Sequence, residues 1–181
     1  MTSSLYPYIQ ESINLSDKNK DNYTLTIQHS LDGLSFVIFD NAEQKFIALK
    51  HYQYSTKDII LQDIIRELQE KEGWKLEDFK NVNILIDNNL NTLIPKDFFQ
   101  EEAKEQYLSL LNIDNNSIVM TDDIQECEAV NVFSCKDKLD FLNHNVKTYH
   151  CSTILIKKLI KDFSDRNAET RAFINVKNNS Y

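Results

Sequence analysis

From Tyr23 the chain alternates: Tyr23, Leu25 and Ile27 are apolar, and Thr24, Thr26 and Gln28 between them are polar. This period of two predicts a strand. Asp32-Gly33 follows, then the apolar run Leu34–Phe39. An Asp-Gly pair between two such runs predicts a hairpin whose turn residues take positive φ. A second turn over Asp40–Glu43 leads into Lys45–Leu49. The expected unit is an antiparallel three-strand meander. Phe36 and Ile38 fall on one face of its second strand and Val37 and Phe39 on the other, so that strand is expected to be central and covered on both sides.

The period then changes. Ile60, Ile64 and Leu68, flanked by Leu61 and Ile65, form a helical stripe over about 57–72. Ser55 or Thr56 is positioned to cap its start, Glu67 and Lys71 to pair along it, and Gly73 to end it in a left-handed conformation. Beyond it the pattern predicts a strand at 82–87, a short run 91–94 stopped by Pro95, and a helix over 97–111. Strands at 118–121 and 129–133 come next, with Asp122-Asp123 near the turn. A short helix at 136–143 and a strand at 147–150 follow. A last helix, 152–165, is expected to bury Ile154, Leu155, Leu159, Ile160 and Phe163. Arg171–Val176 has strand character. The organisation expected is a loosely docked arm over 1–21 and one subdomain over 22–168. For 169–181 two readings stay open: a frayed C-terminal strand, or the first strand of a second, similar subdomain.

Composition narrows the function. The formal charge is −8, which disfavours a nonspecific nucleic-acid binder and an anionic-membrane binder, since both need a basic surface. The chain has two glycines, where average usage of about 7 % predicts roughly a dozen. Phosphate-cradling loops need glycine so that backbone N–H groups can approach closely, and two isolated glycines build no such loop of the usual kind. Cys127, Cys135 and Cys151 form no C-x-x-C pair and read as reduced thiols of a cytoplasmic protein. No apolar run reaches membrane-spanning length.

Three antiparallel strands followed by alternating helices and strands is the element order of ribonuclease-H-like domains, the unit that is duplicated in actin-like ATPases and sugar kinases. The stretch Tyr23-Thr-Leu-Thr-Ile-Gln-His-Ser-Leu-Asp-Gly-Leu-Ser-Phe-Val-Ile-Phe-Asp40 resembles the opening of a family of uncharacterised bacterial proteins with an actin-like ATPase fold. Ala129–Phe133 and Tyr149–Ile156 are similar to later stretches of it. The resemblance covers most of 22–176 and implies a mixed α/β sheet of the ribonuclease-H-like, actin-like type in a two-subdomain protein. It implies no known activity.

Active members of the wider fold place an acid at the end of the first strand and a glycine-containing turn beside it. The acid organises Mg²⁺ and the turn donates N–H groups to phosphates. Here Gln28 or His29 stands in the place of the acid, Ser30 in that of the small turn residue, and Gly33 follows at the hairpin tip. The leading expectation is a noncatalytic module that binds a protein partner and no cofactor. The alternative is a degenerate ATPase or phosphotransferase that holds ATP and magnesium with Gln28, Ser30, Asp32 and Asp87. A metal-dependent nuclease is a weaker alternative, with Asp87, Glu67 and Asp40 as its carboxylates.

Other constellations read more simply. His144, His150, Cys135 and Cys151 lack the paired spacing of a structural zinc site. A Cys151–His29 catalytic pair has no support in spacing. Asp122, Asp123, Glu126 and Glu128 read as a solvated acidic loop before they read as a cation or basic-partner site. Trp74, Phe79, Phe98, Phe99 and Tyr107 read as core before they read as an interface.

Overall fold

The computed structural model describes residues 5–9, 22–31, 33–54, 60–111, 113, 117–136, 139, 142 and 146–163. Strand β1 (Leu5–Ile9) is followed by the meander β2 (Tyr23–His29), β3 (Gly33–Asp40) and β4 (Lys45–Tyr54). Helix α1 (Leu61–Glu72) leads to β5 (Asn81–Ile86). Next come β6 (Asn91–Pro95), the single helical turn α2 (Lys104–Tyr107), β7 (Ile118–Ile124) and β8 (Ala129–Cys135). Strand β9 (Val146–His150) runs directly into α3 (Cys151–Phe163).

The main sheet has six strands in the order β1-β4-β3-β2-β5-β9. The meander is antiparallel, and β5 pairs parallel with β2 and β9 parallel with β5. This is the mixed sheet expected of a ribonuclease-H-like domain. Two features depart from the expectation. Leu5–Ile9, within the expected arm, is an edge strand on β4, with a register shift at Pro7/Ile9. Proline lacks a donor and is tolerated at such an edge. And the described chain between β5 and β9 does more than cross over by alternating helices and strands. The intervening chain builds a second, antiparallel sheet of order β6-β8-β7.

One face of the main sheet is sealed. Leu25 and Ile27 of β2, Leu34 and Ile38 of β3, and Val82 and Ile84 of β5 are fully buried. α1 lays Leu61, Ile64, Ile65 and Leu68 into the same cluster, which also holds Trp74 and Phe79. Burying each such aliphatic side chain contributes roughly 1.5–3 kcal/mol. Trp74 meets Phe36 and Phe79 edge-on, with centroids 5.7 and 5.3 Å apart. α1 starts at Leu61 behind Ile60, which makes no side-chain cap, while Ser55 and Thr56 lie outside the described residues. Its other end is as expected: Gly73 is left-handed at φ 71°, and Glu67 pairs with Lys71 at 3.2 Å. A polar tie fastens α1 to β4. The Glu72 carboxylate accepts from Lys50 at 2.6 Å and from the Tyr52 hydroxyl. Burial, and then the bond to Glu72, push the Tyr52 hydroxyl well above its ordinary pKa.

Gly33 is the first residue of β3 rather than a positive-φ turn residue. Its hydrogen occupies the place where a Cβ would come 2.4 Å from the Tyr52 carbonyl oxygen. Glycine is needed there for close strand approach, not for turn conformation.

The second sheet is a layer of its own. β8 is buried from Val130 to Cys135. Phe133 and Cys135 join the main core, whereas Val130 and Val132 pack with Leu108, Phe99 and Tyr107. The helix expected over 97–111 shrinks to α2 with flanking 3₁₀ turns because the Tyr107 hydroxyl donates to the Phe98 carbonyl and accepts from the Gln100 N–H, both at 2.9 Å. Those backbone groups are thereby taken from a helical ladder. The expected aromatic core divides: Trp74 and Phe79 are buried, and Phe98 is exposed. α3 also departs from its expected burial. Thr153 is its buried residue among those described, Ile154 is exposed, and Leu155, Leu159 and Ile160 are half-buried. The helix expected at 136–143 and the strand at 171–176 fall on stretches wholly or largely outside the described residues.

Candidate functional site

β2, β5 and β9 are parallel, so their C-terminal ends gather along one edge, where open α/β sheets bind ligands. Gln28 is the penultimate residue of β2, and Asp87 follows β5. The Asp87 N–H donates to the His29 carbonyl at 2.8 Å, which extends the parallel ladder by one residue and fixes the aspartate beside β2. The Gln28 side-chain amide then donates to Asp87 Oδ2 at 3.2 Å. Two of the residues expected at the site are thus brought together. Ser30 turns away from them: its N–H and its hydroxyl both donate to the Gly33 carbonyl at 3.0 Å. Asp32 lies outside the described residues. His29 meets the Tyr54 hydroxyl through Nδ1 at 2.5 Å.

The carboxylates expected for a nuclease do not converge. Asp40 pairs with Tyr23 at the opposite end of β2, and its Oδ1 accepts from the N–H groups of Ala42 and Glu43 at 2.9 and 3.0 Å. That bonding pattern builds the β3–β4 turn. Glu67 pairs with Lys71 along α1.

The start of α3 carries a polar cluster that the sequence pattern did not reveal. Asp122 is buried on β7, and its Oδ2 accepts the His150 N–H at 2.8 Å. Thr153 of α3 also bonds to Asp122 and accepts from Asn131 Nδ2 at 3.0 Å. Burial pushes the Asp122 carboxyl above its ordinary range, against the Thr153 and His150 bonds and the nearby Lys157. The site before a helix's first turn favours an anion, and here the chain's own carboxylate occupies it. The expected acidic loop is therefore divided. Asp122 is interior. Asp123 faces outward to Lys96 at 2.9 Å, whose ammonium holds it below the usual carboxylate range, and Glu126 and Glu128 are exposed. The available signal was the alternation Met120, Asp122, Ile124, which ending the strand at Thr121 concealed.

His150 is buried with both ring nitrogens engaged. Nδ1 accepts the Ser152 N–H at 3.1 Å, which leaves Nε2 as the protonated nitrogen facing the Asn88 carbonyl at 3.2 Å. Cys135 is buried, Cys151 is half-buried, and His144 lies outside the described residues. Among the described residues no group of three or more His, Cys, Asp or Glu side chains is arranged to hold a metal ion. No described helix is long and apolar enough to cross a membrane.

Opposite the sealed face, the main sheet is open. Phe39 stands across from Phe46, Val37 from Leu49, and Ser35 from His51. The two phenylalanines meet edge-on with centroids 5.1 Å apart, and Ser35 Oγ reaches His51 Nδ1 at 2.9 Å. Phe46 is 73 % exposed and Leu49 51 %. Val37 and Phe39, expected to be covered, are half-buried. The register carries these rows through Thr24, Thr26 and Gln28 to Asn83 and Leu85. The described charges at this face are Asp87 at the strand ends and Lys147 on β9.

Residues 12–181 match the family model described as "Protein of unknown function (DUF3822)". The chain belongs to the DUF3822 family. Among solved structures, the DUF3822 chain is similar to a Bacteroides thetaiotaomicron protein with an actin-like ATPase fold and unknown function. The two are 25 % identical, with a TM-score of 0.68 over 84 % of this chain and 60 % of the other. The DUF3822 chain thus spans about 60 % of the length of that protein. It also matches the cytoplasmic domain of EpsL, an inner membrane component of the type II secretion system of Vibrio cholerae. That match has 15 % identity and a TM-score of 0.38 over 65 % of this chain and 46 % of the other. No curated protein matches the chain. The DUF3822 chain has an actin-like, ribonuclease-H-like fold, as the resemblance of its opening strands implied.

Proposed function

We propose that this chain is a noncatalytic module on the actin-like fold that works by binding another protein surface. The observation that carries the reading is the bond from the Gln28 amide to Asp87. A phosphoryl-transfer site needs an anionic oxygen at the end of the first strand to organise Mg²⁺ and its waters. Gln28 offers an uncharged amide there, and its N–H is directed at the neighbouring carboxylate.

Two further observations support it. The donors of Ser30, where a phosphate-facing turn would lie, close the hairpin onto Gly33. The start of α3 is served by Asp122. The exposed Phe46 and Leu49 on the open face supply what a binding surface needs in place of an active site.

Isothermal calorimetry of the chain with Mg²⁺-ATP tests the reading. No saturable heat is expected. Saturable binding at micromolar levels, abolished by Asp87→Asn, overturns it and makes the chain a nucleotide-binding ATPase or phosphotransferase.

A further inference from the structure

We infer that the outer edge of β4 is a strand-addition site, and that an extended apolar segment of a partner protein takes it by displacing β1. The inference rests on the binding-module reading and names the surface and the form of the partner. β4 has ten residues, Lys45–Tyr54. Its inner side pairs with β3 from Lys45 to Gln53. Its outer side pairs with β1 over His51–Tyr54. Along Lys45–Lys50 that outer side has no strand partner among the described residues. A strand edge is a row of unpaired N–H and C=O groups, a template onto which another chain adds by main-chain hydrogen bonds.

β1 covers this template poorly. It makes four register pairs, with a shift between Pro7 and Ile9, and Pro7 has no N–H to give. The β2–β3 ladder, in contrast, runs from Tyr23 to His29 without a break. β1 also lies outside residues 12–181, the stretch that matches the family, whereas β4 lies within it. The edge belongs to the common body and its cover to this chain. Residues 10–22 connect β1 to β2. At about 3.3–3.6 Å per residue an extended chain of that length spans roughly 40 Å, so β1 leaves β4 without drawing on β2.

The uncovered length says what fits better. Phe46 and Leu49 lie on it, and both are exposed. A segment running along the whole of β4 makes ladder bonds at Lys45–Lys50 that β1 does not make. It also sets its own side chains beside Phe46 and Leu49 at the usual strand spacing of about 4.8 Å. In a chain of charge −8, β4 carries no carboxylate, and its Lys45 and Lys50 already pair with Glu43 and Glu72. The fitting partner is therefore an apolar, extended segment longer than β1. The composition of β1, Leu5-Tyr-Pro-Tyr-Ile9, is a sample of what the edge accepts.

Fluorescence anisotropy with a labelled peptide of residues 1–11 tests the inference on three full-length chains. In the wild type the tether holds β1 at roughly millimolar effective concentration, so the peptide competes weakly. Tyr6→Pro with Tyr8→Pro strips donors from β1 and frees the edge, and is expected to bind the peptide saturably and at least about tenfold more tightly than the wild type. Tyr6→Cys with Gln53→Cys joins two residues that face each other in the register. Oxidised, it is expected to bind no peptide; reduced, it returns to the wild-type level. Circular dichroism verifies folding. A folded proline variant without peptide affinity overturns the inference, and so does an oxidised chain that binds as well as the reduced one. A disulfide that links two chains overturns it too and gives the edge to β1 of a second copy. Amide hydrogen exchange of the wild type needs no variant: β1 is expected to exchange well before the β2–β3 ladder, and equal protection makes β1 a fixed strand and overturns the inference. The two readings fail separately: a chain that binds neither peptide nor nucleotide sinks the strand edge alone, and one that binds both peptide and Mg²⁺-ATP sinks the noncatalytic reading alone.

Discussion

The side-chain amide of Gln28 donates to a carboxylate oxygen of Asp87 across 3.2 Å, joining residues 59 positions apart at the ends of two parallel strands. Gln28→Glu would set a second carboxylate against the first. Like charges at that distance resist joint ionisation, and one of them takes up a proton more readily. The variant is expected to lose about 1–2 kcal/mol at neutral pH by the cost of such a like-charge contact and to recover part of it on acidification. Urea unfolding at neutral and mildly acid pH measures both. Equal stability at the two pH values would show that the groups do not face each other.

Glu72 serves two donors, Lys50 and Tyr52, at the junction of α1 and β4. The Lys50 and Glu72 side chains are 14 % and 10 % exposed. Removing one partner of such a pair strands the other, so Glu72→Ala is expected to cost about 3 kcal/mol. Glu72→Gln keeps an acceptor and a matching shape and is expected to cost less. Chemical denaturation of the two variants gives the ranking, and equal stabilities would contradict it.

The two glycines should fail differently. An added methyl at Gly33 meets the backbone oxygen of Tyr52, and overpacking of this kind costs roughly 1–3 kcal/mol. Gly73 has open space but a φ of 71°, so Gly73→Ala is expected to cost about 1 kcal/mol through conformation alone. Asparagine, which tolerates the left-handed region, should restore part of the loss at position 73 and none at position 33. Thermal melts of the four variants distinguish the cases.

Asp122 predicts a pH dependence. Its carboxyl titrates above the ordinary range in the folded chain, so the folded protein holds that proton more tightly than the unfolded one. Stability therefore falls as pH rises from the ordinary carboxylate value through the raised one, and the penalty persists above it. Asp122→Asn should remove this fall and be no less stable than wild type at neutral pH. Asp122→Ala, which leaves the buried His150 N–H without its acceptor, is expected to lose about 1–3 kcal/mol. Unfolding curves across the acid range test this, and an unchanged profile in Asp122→Asn would refute the assignment.

The legible parts of the fold were those written in local periodicity. The alternation from Tyr23 and the stripe Ile60–Leu68 placed the meander and α1, and Gly73 marked the end of the helix. What was not legible depended on distant partners. The Tyr107 hydroxyl takes backbone groups that an isolated helix over 97–111 would have used. Asp122 is interior because β8 and α3 close over it, although its sequence neighbours read as a solvated loop. β1 is held by backbone pairing to β4, and its short segment with a central proline gives no strand signal. At the candidate site the uncharged amide of Gln28 near the end of β2 was readable from position alone. Its bond to Asp87 was not, because parallel pairing sets that contact.

The second sheet bears on the order in which the molecule can be made. β5 pairs with β2 on one side, but its other neighbour, β9, begins only at Val146, after β6, β7 and β8. During synthesis the meander, α1 and β5 emerge first, and they already hold most of the main core. Strand β9 must then close a long loop, which makes such non-local pairing slow. Until β9 arrives, β5 is an exposed edge. The inserted sheet thus sets a waiting time on the growing chain, during which a half-built protein has an open strand to offer.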